Sequence, residues 1–116
     1  MIGCNGKKNA TPTFAPREID LKNIVVGKTY DFYFLVKNEG QKPLLVKNVV
    51  GDCHCLNIKW PNHNIKAGMT DTIFGSINVS EEGRFNRFLM VYTNGDSSFY
   101  PLSLLGAAVK NESPGN

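Results

Sequence analysis

The chain has 116 residues, with 13 Lys and Arg against 10 Asp and Glu and a formal charge of +3. That is one domain with enough length for a single core, and 41% apolar residues exclude a disordered chain. No apolar run approaches the ~20 residues of a bilayer span, and a small positive charge without basic clusters gives no footing for a nucleic-acid partner.

Residues 1–15 are polar at their start, carry Gly and Pro, and read as a flexible leader. Ile19-Asp20-Leu21 and Ile24-Val25-Val26 supply one or two short first strands. Tyr30, Phe32, Phe34 and Val36 then alternate with Asp31, Tyr33, Leu35 and Lys37, the pattern of a half-buried strand. Asn38-Glu39-Gly40-Gln41 has turn chemistry, and Leu44-Leu45-Val46 with Val49-Val50 reads as the return strand. Ile73, Gly75, Ile77 and Val79 alternate until Glu82-Gly83 breaks the run. Phe85, Leu89 and Val91 lead into Asn94-Gly95-Asp96, the strongest hairpin signal in the chain. Leu102, Leu104, Gly106 and Ala108 form the closing strand, and Tyr100-Pro101 suggests an edge position because Pro has no N–H for the ladder. Residues 110–116 read as a flexible tail. No stretch carries a helical apolar stripe, so the pattern predicts an all-β, immunoglobulin-like antiparallel sandwich of about seven strands over residues 16–109. Leu44, Val46, Ile73, Ile77, Leu89, Val91, Leu102 and Leu104 are expected to face inward.

Three cysteines cannot all pair internally. Ile2-Gly3-Cys4 resembles the end of a bacterial lipobox, in which a small residue precedes a Cys that is lipidated and becomes the mature N-terminus. The charged and apolar regions of a signal peptide do not precede it in these residues, and the competing reading of Cys4 is an incidental free thiol. Cys53-His54-Cys55 has three readings: a structural pair, reduced or bridged; a metal site; or a redox pair. On a flat strand the two cysteines share a face ~6.6 Å apart, whereas a disulfide brings its β-carbons to ~3.8 Å. Bridging therefore requires a bend, which Gly51 and Asp52 permit. Cys53 and Cys55 suit a soft metal, with His63 able to swing in across the Pro61-Asn62 turn. That set lacks a fourth ligand, so no tightly held metal and no cofactor is expected. Trp60 reads as a core or edge aromatic. Tyr33, Tyr92 and Tyr100 would form a stacking platform for sugars only if they clustered.

Phosphate loops, Gly-x-Ser-x-Gly and His-Glu-x-x-His are absent, and catalysis is not expected. The run Phe32-x-Phe34-x-Val36-x-Asn38-x-Gly40-x-x-Pro43-Leu44 resembles the opening of a bacterial Ig-like family of unknown function. That family is best known from Bacteroidetes-type lipoproteins and is similar to ASPM/Hydin-type and PapD-like sandwiches. Its signature continues as Cys-Gly-Cys-Thr, a Trp or Pro segment, Pro-Gly, a strand ending in Thr-Asn, and Leu-x-Leu-x-Gly. The corresponding residues here are Cys53 to Leu56, Trp60-Pro61, Ala67-Gly68, Thr93-Asn94 and Leu102 to Gly106. His54, Leu56 and Ala67 depart from that pattern. His54 is bulkier than the family's Gly and does not easily take positive φ, which leans the cysteine pair toward an open, reduced or metal-bound form. The resemblance implies the fold and a periplasmic or outer-envelope home, anchored to the membrane only through lipid on Cys4. It carries no activity. The expected function is a non-catalytic interaction module with a protein or polysaccharide partner, and the alternative is a metal-binding or thiol-redox protein using Cys53-His54-Cys55.

Overall fold

The computed structural model describes residues 9–110. Eight strands follow in chain order: β1 (Pro12–Ala15), β2 (Glu18–Val25), β3 (Thr29–Asn38), β4 (Val46–Gly51), β5 (Leu56–Lys59), β6 (Thr70–Asn78), β7 (Gly83–Thr93) and β8 (Tyr100–Val109). They form two four-stranded sheets, β1-β3-β6-β5 and β2-β8-β7-β4. One buried apolar cluster draws on both sheets, so the all-β sandwich read from the alternation is the fold. The Cys4 lipidation expected above lies outside the described residues.

The alternation in β3 buries Phe32, Phe34, Val36 and Asn38 and exposes the residues between them. Its ladder with β6 is unbroken from Thr29↔Asn78 to Lys37↔Thr70. All eight residues expected to face inward are buried, and seven of them lie at 1% exposure or less. Each such aliphatic side chain contributes ~1.5–3 kcal/mol when fully buried.

Four local expectations are corrected. Residues 12–15, expected in the leader, form a strand: Pro12–Ala15 is β1, paired antiparallel with Leu35–Asn38 of β3, and Phe14 packs against the core with its ring 5.6 Å from that of Tyr100. Pairing with β3 supplies what four residues of weak pattern could not. The sandwich is not wholly antiparallel, because β2 runs parallel to β8. Val46–Gly51 does not return along β3; it crosses to the other sheet and pairs with β7. Tyr100-Pro101 does not mark an edge strand, because β8 lies between β2 and β7. Pro101 is tolerated there because β2 begins its pairing only at Glu18↔Ser103, so the ladder on that side starts beyond the proline.

The residues that carry the family resemblance are mostly structural. Asn38 is fully buried and completely satisfied. Its Nδ2 donates to the carbonyls of Lys42 and Ile65, at 2.7 and 2.9 Å. Its Oδ1 accepts from the N–H of Gly40 at 2.9 Å and of Thr11 at 3.3 Å. Gly40 lies so close to the Asn9 carbonyl that a β-carbon there would overlap it. Leu44 and Ile65 exchange two backbone hydrogen bonds, at 2.9 and 2.7 Å. Asn94 clamps the same segment from the other side. Its Oδ1 accepts from Leu45 N–H at 2.8 Å, and its Nδ2 donates to the Pro43 carbonyl at 3.1 Å. On β8, Gly106 gives room to the Lys22 carbonyl and the Phe85 ring. Lys22 itself sits in a bulge of β2 at φ 64°, with its N–H bonded to Asp20 Oδ1 at 2.8 Å. That charged, bulged edge resists pairing with another strand.

Candidate functional site

Two places on the sandwich have chemistry that the packing does not require. The first is the crossing from β4 to β5, where the chain passes from one sheet to the other. Asp52 N–H donates to the Phe88 carbonyl at 3.1 Å, which extends the β4–β7 ladder by one step. The next three residues turn, and Leu56 N–H donates back to the Cys53 carbonyl at 3.4 Å. Beyond the turn, the Cys55 carbonyl accepts from Asn78 N–H at 3.0 Å, and Leu56 enters the ladder opposite Ile77. The turn thus leaves one sheet at Asp52 and joins the other at Cys55.

The two cysteines form a disulfide, with α-carbons 5.2 Å apart. This corrects the leaning toward an open pair. The backbone is not flat at 52–55, and the bend needs no positive φ at His54: Lys22 is the one non-glycine residue with positive φ among the described residues. The three expected metal ligands are not brought together as a ligand set. Cys53 and Cys55 are consumed by their bond, and His63 Nε2 lies 2.9 Å from Asp71 Oδ2. Among the described residues no group of three or more His, Cys, Asp or Glu is placed to hold a metal. The disulfide lines a cleft of about 180 Å³ together with Glu81, Glu82, Arg84 and Arg87.

The second place is the outer face of the β1-β3-β6-β5 sheet. Tyr33 and Phe74 are directly paired across β3 and β6, and they are 55% and 58% exposed. Directly opposite residues on one face hold their β-carbons ~4.5–5.5 Å apart, so the two rings present one continuous surface. They border a shallow depression of about 620 Å³ whose rim includes Asp31, Asn57, Lys59 and Ser76. Both strands lie inside the sheet, so this face offers side chains and no free backbone edge. The three tyrosines named above do not cluster. Tyr92 belongs to the other sheet and pairs with Phe99 at 6.0 Å, while the Tyr100 ring is occupied by Phe14. Trp60 packs against the core, as expected of a covering aromatic.

Sequence reading missed Phe74 and Arg87. Phe74 had a usable signal, since it stands at an outward position between Ile73 and Gly75. Arg87 had one too, because it falls on the inward parity of β7 between Phe85 and Leu89.

Among solved structures the sandwich is similar to PapD-like domain 7 of human CEP192, at TM-score 0.73 and 9% identity, covering 90% of this chain and 89% of that one. It is similar to a protein of unknown function from Porphyromonas gingivalis W83, at TM-score 0.73 and 12% identity, covering 88% of this chain and 48% of that one. It also matches 31% of the Vibrio cholerae VesB protease chain, with TM-score 0.63, 9% identity and 83% of this chain covered. At these identities the likeness is one of fold. No curated protein matches the chain. With residues 12–108 matched, from the start of β1 almost to the end of β8, the chain belongs to the family described as "Protein of unknown function (DUF1573)".

Proposed function

We propose that this domain is a non-catalytic interaction module of the bacterial cell envelope, anchored through lipid on Cys4, that binds a protein partner on the Tyr33–Phe74 face. The observation that carries the reading is the paired exposure of those two rings. Tyr and Phe are enriched at protein interfaces because they offer a large contact area at a small entropic cost. Here they stand on the two inner strands of a rigid sheet, bordered by a carboxylate, an amide and an amine that would fix orientation. The disulfide fits an oxidising compartment outside the cytoplasm. PapD-like likeness fits a binding role more readily than a catalytic one.

Intact-mass measurement on protein purified from native envelopes tests the anchor, with a mass increase on Cys4 expected and an unmodified N-terminus contradicting it. Binding is tested with Tyr33→Ala and Phe74→Ala, each expected to weaken association at least tenfold without unfolding the domain. Retained protein binding by the double variant refutes the assignment of the face. So does binding of purified glycans in place of protein, which would move the partner to a polysaccharide.

A further inference from the structure

We propose that the Cys53–Cys55 disulfide is a thiol–disulfide exchange site that takes a dithiol as reductant and uses Arg87 to stabilise the departing Cys53 thiolate. Four observations converge on it. The β4–β7 register runs Val50↔Met90, Gly51↔Leu89 and then Asp52 N–H to the Phe88 carbonyl. One more step sets Cys53 against Arg87. Arg87 occupies an inward position on β7 where its neighbours Phe85, Leu89 and Val91 are apolar and buried. Its Nε is buried with no hydrogen-bond partner, and among the described residues its guanidinium is in no ion pair. A buried N–H left without an acceptor is costly until one forms beside it.

The bond itself closes a loop of minimal length, since the cysteines are two residues apart. Cross-linking so short a loop restricts the unfolded chain least, so this is a weak staple. Both sulfurs belong to residues that are only half-buried, and both line the same open cleft. Glu81, Glu82 and Arg84 share that cleft as exposed groups, with Asp52 and His54 exposed on the turn. Other motif residues, Asn38, Gly40, Asn94 and Gly106, have structural duties. The cysteine pair has none of comparable reach.

In the exchange, a thiolate of the reductant attacks Cys55 Sγ. A sulfur–sulfur bond forms to Cys55, the Cys53–Cys55 bond breaks, and its electron pair remains on Cys53 Sγ facing Arg87. The second thiol of the reductant loses its proton to solvent and attacks its own partner sulfur, releasing Cys55, which takes up a proton. The dithiol becomes a disulfide and gives up two electrons. The cysteines receive both. A stabilised thiolate leaves faster and favours the reduced form.

The test is equilibration of the full chain, in a Cys4→Ser background, with dithiothreitol redox mixtures while Trp60 emission reports the fold. The wild-type pair is expected to be reduced with native emission retained. Arg87→Gln is expected to lower the equilibrium constant for reduction about tenfold, equivalent to ~30 mV. Arg87→Lys should recover most of that loss, and Arg84→Gln should change it less than twofold. An Arg87→Gln value within twofold of wild type overturns the proposal, as does reduction that occurs only on unfolding. Should Arg87→Gln fail to fold, alkylation by iodoacetamide at neutral pH decides. Cys53 in a Cys55→Ser chain should react about tenfold faster than Cys55 in a Cys53→Ser chain, and equal rates refute the role of Arg87.

Discussion

Asn38 and Ile65 are joined by a 2.9 Å hydrogen bond from Asn38 Nδ2 to the Ile65 carbonyl, at a side chain with no solvent exposure. The bond ties the end of β3 to the segment that precedes β6, and the same amide also holds Thr11, Gly40 and Lys42. Asn38→Ala leaves two N–H groups and two carbonyls without that partner. We expect a loss of about 2–3 kcal/mol in urea unfolding, the scale of unsatisfied buried polar groups. Asn38→Asp is expected to cost at least as much, because a carboxylate oxygen would then face two carbonyls.

Gly75 and Phe32 are opposite one another in the β3–β6 ladder, and a β-carbon on Gly75 would overlap the Phe32 ring. Gly75→Ala should destabilise by about 1–3 kcal/mol through overpacking. Adding Phe32→Leu should return part of that loss, so the pair should show a coupling of at least ~0.5 kcal/mol in a double-mutant cycle. Additive losses would place the ring elsewhere.

Leu89 and Leu104 are fully buried on β7 and β8. Leu89→Ala and Leu104→Ala should each cost ~2–5 kcal/mol in equilibrium unfolding. A shift below ~1 kcal/mol for both would contradict the strand register.

The inward face of the sandwich was legible because the apolar residues of β3 and β8 keep one parity: Phe32, Phe34 and Val36, or Leu102 and Leu104, cannot be moved to the other face without exposing them all. What was not legible depends on partners distant in sequence. Pro12–Ala15 is a strand only because β3 offers it an edge. The turn after Asn38 does not encode which sheet β4 joins, and Asn38 itself reads as a turn residue although it is buried in the core. The parallel β2–β8 pairing has no local signature. At the site, the cysteines were visible but their bond depended on a bend held by Phe88 and Asn78. Tyr33 was visible without Phe74, because cross-strand neighbours follow from register and not from spacing.

The face proposed for recognition can be separated from the scaffold by stability alone. Tyr33→Ala and Phe74→Ala truncate exposed rings, so each should change unfolding by no more than ~1 kcal/mol, the scale of a cross-strand pair. A larger loss in chemical denaturation would make the two rings part of the fold's support.

The central claim, that the outer β3–β6 face is where this domain meets a protein, is tested most directly by site-specific photo-crosslinking in native envelopes. A photoreactive phenylalanine analogue replaces Phe74 in one chain and Leu105, on the outer face of β8, in another. The account predicts a discrete protein adduct from position 74, absent from position 105, that is competed away by the wild-type domain and not by the Tyr33→Ala/Phe74→Ala variant. Adducts of equal yield at both positions, or competition by the double variant, would contradict it.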